Sequence, residues 1–218
     1  MVLSKLIKIS KFHFPKLNIK YKDVSLLMKI LAIVLFFNPR FKNYTTTIFN
    51  TIYFPSEKYI KDRDFSSSAV FLHELVHIQD MNNLGFFGPI IFAFLYLFPQ
   101  ILCLLFFPLL LVSWKVALFA LLFLAPFPAY WRMKYERKAY FVSMYVMDKF
   151  EKKFNVNFRL NDNKKYFIKQ FAGPSYYFMW YLPGISKQFD KALEKVRNGE
   201  KPVDESSLIV IDKILAEI

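Results

Sequence analysis

One cysteine in 218 residues has no partner within the chain, so no internal disulfide can form. Cys103 lies in an apolar run, where a thiol packs as a small hydrophobe, and no cysteine cluster is available to hold a metal. Histidine is nearly as scarce, at three. Acidic residues are few beside basic ones, 17 against 30, which leaves a formal charge of +13. The N-terminal stretch lacks the short apolar core and small-residue cleavage site of a signal peptide. No zinc-finger, helix-turn-helix or RNA-binding signature accompanies the positive charge, and the basic residues are spread along the chain, so no nucleic-acid partner is expected.

Apolar and aromatic side chains are abundant, at 55% and 20% of the chain. Such a composition with so many cations fits a protein lying in or against an anionic membrane, where Lys and Arg meet acidic headgroups. Two of the three histidines fall within Phe71 to Asp80, where His73, Glu74 and His77 spell His-Glu-x-x-His. Positions i and i+4 share one helix face, so both imidazoles can grip one ion, while Glu74 can reach a water on it without being a ligand. This is the zincin pattern, with Zn²⁺ as cofactor and Glu74 as general base. The filler residues are apolar, and buried imidazoles and a buried carboxylate need partners. His13 stands alone and reads as a surface or interfacial histidine.

Five segments follow in order. Residues 1–44 form a basic N-terminal part, in which LIKISKFHF alternates like a strand or interfacial segment. The same part holds the apolar run Val24 to Phe37, too short to span and read as an interfacial or core helix. Residues 45–85 hold TTTIFNTIYFP, read as one strand, and the motif helix, with Ser66, Ser67 or Ser68 as its cap and Gly85 at its stop. Thr51, Ile52, Tyr53 and Phe54 are candidates for an edge strand that pairs with extended substrate, an ordinary sheet strand being the equal alternative. Residues 86–131 are an apolar helical hairpin, transmembrane or re-entrant, with legs at Phe86 to Val112 and Val116 to Trp131; two buried core helices are the soluble alternative. Arg132, Lys134, Arg137 and Lys138 then place that end, and the motif with it, on the cytoplasmic side.

A catalytic zinc takes three protein ligands, and no histidine or suitable cysteine remains, so the third is expected to be a carboxylate. Glu136, which opens a helix over residues 132–155, is favoured over Asp80, which lies too near His77 on the same helix. Residues 156–218 make up an aromatic segment and two amphipathic surface helices, with a charged loop or hairpin around 151–170 before them. Tyr176, Tyr177 and Tyr181 are candidate oxyanion donors there.

His73-Glu74-x-x-His77, apolar spans and then Glu136-x-x-Ala139 together resemble the gluzincin metallopeptidases. The likeness is nearest to their integral membrane branch, of heat-shock and CAAX type, with the compact minigluzincins second. It covers roughly residues 45–150 at the level of motifs. The resemblance implies His73, His77 and Glu136 as zinc ligands and Glu74 as general base. It also implies a supporting Asp where this chain has Tyr140, so either another group steadies the first histidine or the metal is held less firmly. The expected fold is α+β and mainly helical, a zincin-like core of small sheet plus motif helix with the hairpin inserted. The expected function is a membrane-associated zinc endopeptidase acting on protein or peptide substrates, at a bacterial inner membrane or phage-associated. The alternative is a non-catalytic membrane or virion-associated protein with a structural or vestigial zinc site.

Overall fold

The computed structural model describes residues 1–34, 41–125, 127–172 and 184–218. Among the described residues the protein is mainly helical with one three-stranded sheet. Helix α1 (Val2–His13) takes the stretch whose alternation reads as a strand. Its Leu3, Leu6 and Ser10 are buried at helical spacing, and packing against the motif helix decides the conformation. The Asp64 carboxylate accepts from the backbone N–H groups of Val2 (2.6 Å) and Leu3 (3.1 Å) and so closes the start of α1.

Strand β1 (Asn18–Tyr21) and helix α2 (Leu26–Val34) follow. The run read as one strand is a hairpin, β2 (Thr46–Ile48) and β3 (Thr51–Phe54), turned at Phe49 and Asn50 with Phe49 at φ +52°. The sheet order is β1-β3-β2, with β1 parallel and β2 antiparallel to β3. This corrects the expected edge strand. Thr51, Ile52 and Tyr53 are paired on both sides and Phe54 on the β1 side, so they form an ordinary central strand; among the described residues the edge beside the motif helix is β2.

Helix α3 (Glu57–Asp62) is capped by Ser56 and leads into α4 (Asp64–Asn83), the motif helix. Ser66, Ser67 and Ser68 lie inside α4 rather than capping it; Ser68 Oγ donates back to the Asp64 carbonyl. Gly85, at φ +79°, turns the chain out of α4. Helix α5 (Gly88–Leu97) then crosses so close that a Cβ on Gly88 would lie 1.9 Å from the Met81 carbonyl oxygen.

The apolar region is not two straight legs. A 92° bend separates α5 from Gln100–Leu110, which is a 3₁₀ stretch (Gln100–Leu105) followed by α6 (Phe106–Leu110). Helix α7 (Trp114–Ala120) and a second 3₁₀ stretch (Leu121–Leu124) return alongside it. Among the described residues no single helix is long and apolar enough to cross a membrane; the bent pair reaches that length only together.

Helix α8 (Tyr130–Phe154) packs along α4 and ends with Asn155 in the left-handed conformation. The stretch expected as a charged loop is largely helical, since α9 (Leu160–Ala172) buries Leu160, Phe167 and Phe171. Helices α10 (Gly184–Arg197) and α11 (Glu205–Ala216) close the fold. One core runs between α1, α4, α8 and the C-terminal helices, centred on residues such as Phe71, Leu75, Val142, Phe150, Phe189 and Ile211.

Candidate metal centre

The centre lies where α4 and α8 pack together. His73 and His77, one turn apart on α4, face Glu136 on α8, and one ligand atom from each lies within 4.8 Å of the others. His73 Nε2 is 3.4 Å from Glu136 Oε2, and His77 Nε2 is 3.4 Å from Glu136 Oε1. Two ligands about 2.1 Å from one ion at a tetrahedral angle stand about 3.4 Å apart, so both separations suit a small divalent cation. All three side chains are buried, Glu136 to 2% exposure.

The hydrogen bonds around the cluster prepare these atoms. Ser143, one turn beyond Ala139 on α8, donates its hydroxyl proton to the Ala139 carbonyl (3.0 Å). Its oxygen, 3.1 Å from His73 Nδ1, is then an acceptor there, which puts the imidazole proton on Nδ1 and leaves the Nε2 lone pair facing Glu136. Ser143 thus does what the resemblance assigns to an Asp. Tyr140, at that Asp position, instead lays its ring against His73 at 4.8 Å between centroids.

Tyr96 on α5 donates its hydroxyl to Glu136 Oε1 at 2.5 Å, and its ring meets His77 edge-on. Among the described residues Glu136 Oε2 has no hydrogen-bond partner despite its burial, and neither has His77 Nδ1. An orphaned buried carboxylate oxygen facing the His73 nitrogen, with its sister oxygen facing that of His77, is what a cation would satisfy. The donor set, two imidazoles and one carboxylate, is that of a zinc site with an open position. Without a cation the three groups share charge. Burial alone would raise the Glu136 pKa, but His77 and His73 hold it well below the usual carboxylate range. Burial alone would lower the His77 pKa, but Glu136 first, then Glu74 and Asp80, raise it.

Glu74 points toward the sheet, where Thr47 Oγ1 donates to its Oε2 at 2.7 Å. The register explains a second property of Thr47. Ile48 and Thr51 flank a two-residue turn and form a hydrogen-bonded pair, so the next pair, Thr47 and Ile52, is not hydrogen-bonded. Thr47 therefore turns its backbone N–H and C=O away from β3, to an edge unpaired among the described residues, while its side chain holds Glu74. The buried Lys22 fixes the start of this strand, donating to Thr46 Oγ1 (2.6 Å) and the Phe41 carbonyl (2.8 Å). Burial pushes its pKa down to about 8, partly offset by the negative charge of Glu74.

Asp80 stands apart from the cluster, paired with Lys138 at 2.5 Å. His13 packs its ring on Phe12 at the end of α1 and is not in the cluster. Tyr176, Tyr177 and Tyr181 lie outside the described residues. Thr47, Tyr96 and Ser143 escape sequence reasoning because each reaches the site through tertiary packing; only Ser143 carries a local sign, its helical spacing from Glu136 and Tyr140.

No family model, no curated protein and no solved structure matches this chain.

Proposed function

We propose that this protein is a membrane-associated, zinc-dependent endopeptidase of gluzincin type, with a zincin-like core of β2, β3 and α4. The observation that carries the reading is the convergence of two imidazole nitrogens and an unsatisfied buried carboxylate oxygen beside a fourth group, Glu74, that is held outside the cluster. His73, His77 and Glu136 would hold the cation, and Ser143 and Tyr96 would orient two of them. A bound zinc ion supplies Lewis acidity, lowering the pKa of a water and polarising a carbonyl.

The residues of the chain do the rest. An extended peptide has a place beside β2, where the outward N–H and C=O of Thr47 can pair with its backbone. Glu74, one residue from a ligand, takes a proton from the attacking water and passes it to the leaving amine. Thr47 holds one Glu74 oxygen and leaves the other free for that transfer.

The competing reading is a structural zinc site in a non-catalytic protein, and burial favours it: Glu74 is only 9% exposed. One experiment separates the two. Purified Glu74→Gln should keep its zinc and lose hydrolysis of a peptide library by a factor of 10³ or more, on the order of a lost general base combined with its proton delivery. Zinc-loaded wild type without chelator-sensitive hydrolysis would leave the structural site as the reading. Loss of zinc from Glu136→Ala checks the third ligand independently of activity.

A further inference from the structure

We infer that the apolar hairpin after α5 lies along one face of an anionic lipid bilayer, one leaflet deep, and that a basic groove beside its base grips phosphate headgroups. This deepens the membrane half of the proposed function and requires no catalysis.

The hairpin has no core of its own. Neither 3₁₀ stretch nor α6 contains a buried residue, and α7 buries only Ala117 and Ala120. Leu104, Phe107, Val112, Phe119 and Leu122 are exposed, and Leu111 at the tip is 91% exposed. Monomeric proteins in water rarely present so much joined apolar surface.

Its dimensions and its ends exclude a crossing. Six residues of 3₁₀ helix at about 2.0 Å and five of α-helix at about 1.5 Å give a leg of about 20 Å, against about 30 Å of bilayer hydrocarbon. Both ends carry the side-chain pairs of a membrane interface. Lys115 stands over the Trp114 ring (5.8 Å) at the tip, and Lys134 over the Trp131 ring (5.5 Å) at the base. A leg of about 20 Å cannot place these markers at opposite interfaces, so both belong to the same one. The 92° bend at the end of α5 is what lays the hairpin down.

The groove supplies the charge. Lys134, Arg137, Lys138, Lys191 and Lys195 line a cavity of about 630 Å³ with only Asp80 and Asp204 opposing them, and Asp80 is occupied by Lys138. Lys134 and Arg137 lie on α8 within two turns of Trp131, so the groove sits at the level where the hairpin begins and ends. Phosphate headgroups complement this surface, in keeping with the +13 charge of the chain.

Cys103, the single cysteine, lies in the hairpin and is a ready reporter. The full chain is labelled there with an environment-sensitive fluorophore and mixed with vesicles of phosphatidylcholine, with and without phosphatidylglycerol. The expected result is a blue-shifted emission, quenched more by spin labels high on the acyl chain than by labels at its end. Binding should be about tenfold or more tighter with phosphatidylglycerol, and Lys134→Glu with Lys191→Glu and Lys195→Glu should abolish that preference. Leu111→Glu with Phe107→Glu, both at exposed positions, should remove insertion while circular dichroism and zinc content stay unchanged. Water-like emission with both vesicles would overturn the inference, as would quenching strongest at the chain ends. Reaction of Leu111→Cys, in a Cys103→Ser background, with an impermeant reagent from the far side would overturn the single-face arrangement. Equal binding to both vesicles would overturn the headgroup groove. Hydrolysis of a soluble peptide by the same preparation reports separately on the proteolytic reading, so either can fail without the other.

Discussion

Ser143 gives its proton to a backbone carbonyl and its lone pair to His73, and this small arrangement sets which imidazole nitrogen is free for a cation. Ser143→Ala should therefore weaken zinc binding about 10–100-fold, read by competition with a chromophoric chelator, without unfolding the helix pair. Thr47 tests the other side of the site. Thr47→Val should lower kcat about tenfold or more, with zinc content unchanged, because it removes a hydrogen bond to a charged carboxylate, and Thr47→Ser should restore it. Lys22 gives a pH signature. Its folded pKa is about 8 and its ordinary value 10.5, so between those limits the unfolded chain keeps a proton that the folded one has released. Stability then rises with pH across that window and is flat below it. The stability difference between wild type and Lys22→Met, from urea midpoints at stepped pH, should climb from about pH 8 to 10.5.

Element by element, the sequence is legible where signals are local. The spacing of His73 and His77, the stop at Gly85 and the end of α8 at Asn155 all depend on neighbours along the chain. It is less legible where packing decides. The hairpin turn at Phe49 and Asn50 lacks the glycine such turns favour, so β2 and β3 look continuous and the central strand passes for an edge. In α1 the polar Ser10 is buried and Phe12 exposed, and in α9 Gln170 is buried and Tyr166 exposed, which blurs the apolar helical period. The missing glycine has a cost: Phe49→Gly should raise stability by about 1 kcal/mol, since φ +52° disfavours a side chain, and a thermal scan would show it. Gly88 is the opposite case. Gly88→Ala should cost about 1–3 kcal/mol and weaken zinc binding together, because α5 must move off α4 and carries Tyr96 with it.

At the scale of the molecule, the cluster joins α4 and α8, the two longest helices among the described residues, across the core. Zinc at a hundredfold over its Kd should stabilise the fold by about 2.7 kcal/mol, and chelation should lower the melting temperature reversibly. That a distant acid returns to the histidines could be read from the chain, because a hairpin must bring its ends together. That Tyr96 returns with it, from within the apolar run, could not, since nothing in periodicity distinguishes that aromatic from its neighbours.

The order of these parts along the chain is also an order in time. A ribosome releases α4 with both imidazoles, then the greasy stretch, and Glu136 only afterwards. The newborn polypeptide thus emerges with its two imidazoles unpartnered, and the acid that meets them is the last of the three to be synthesised.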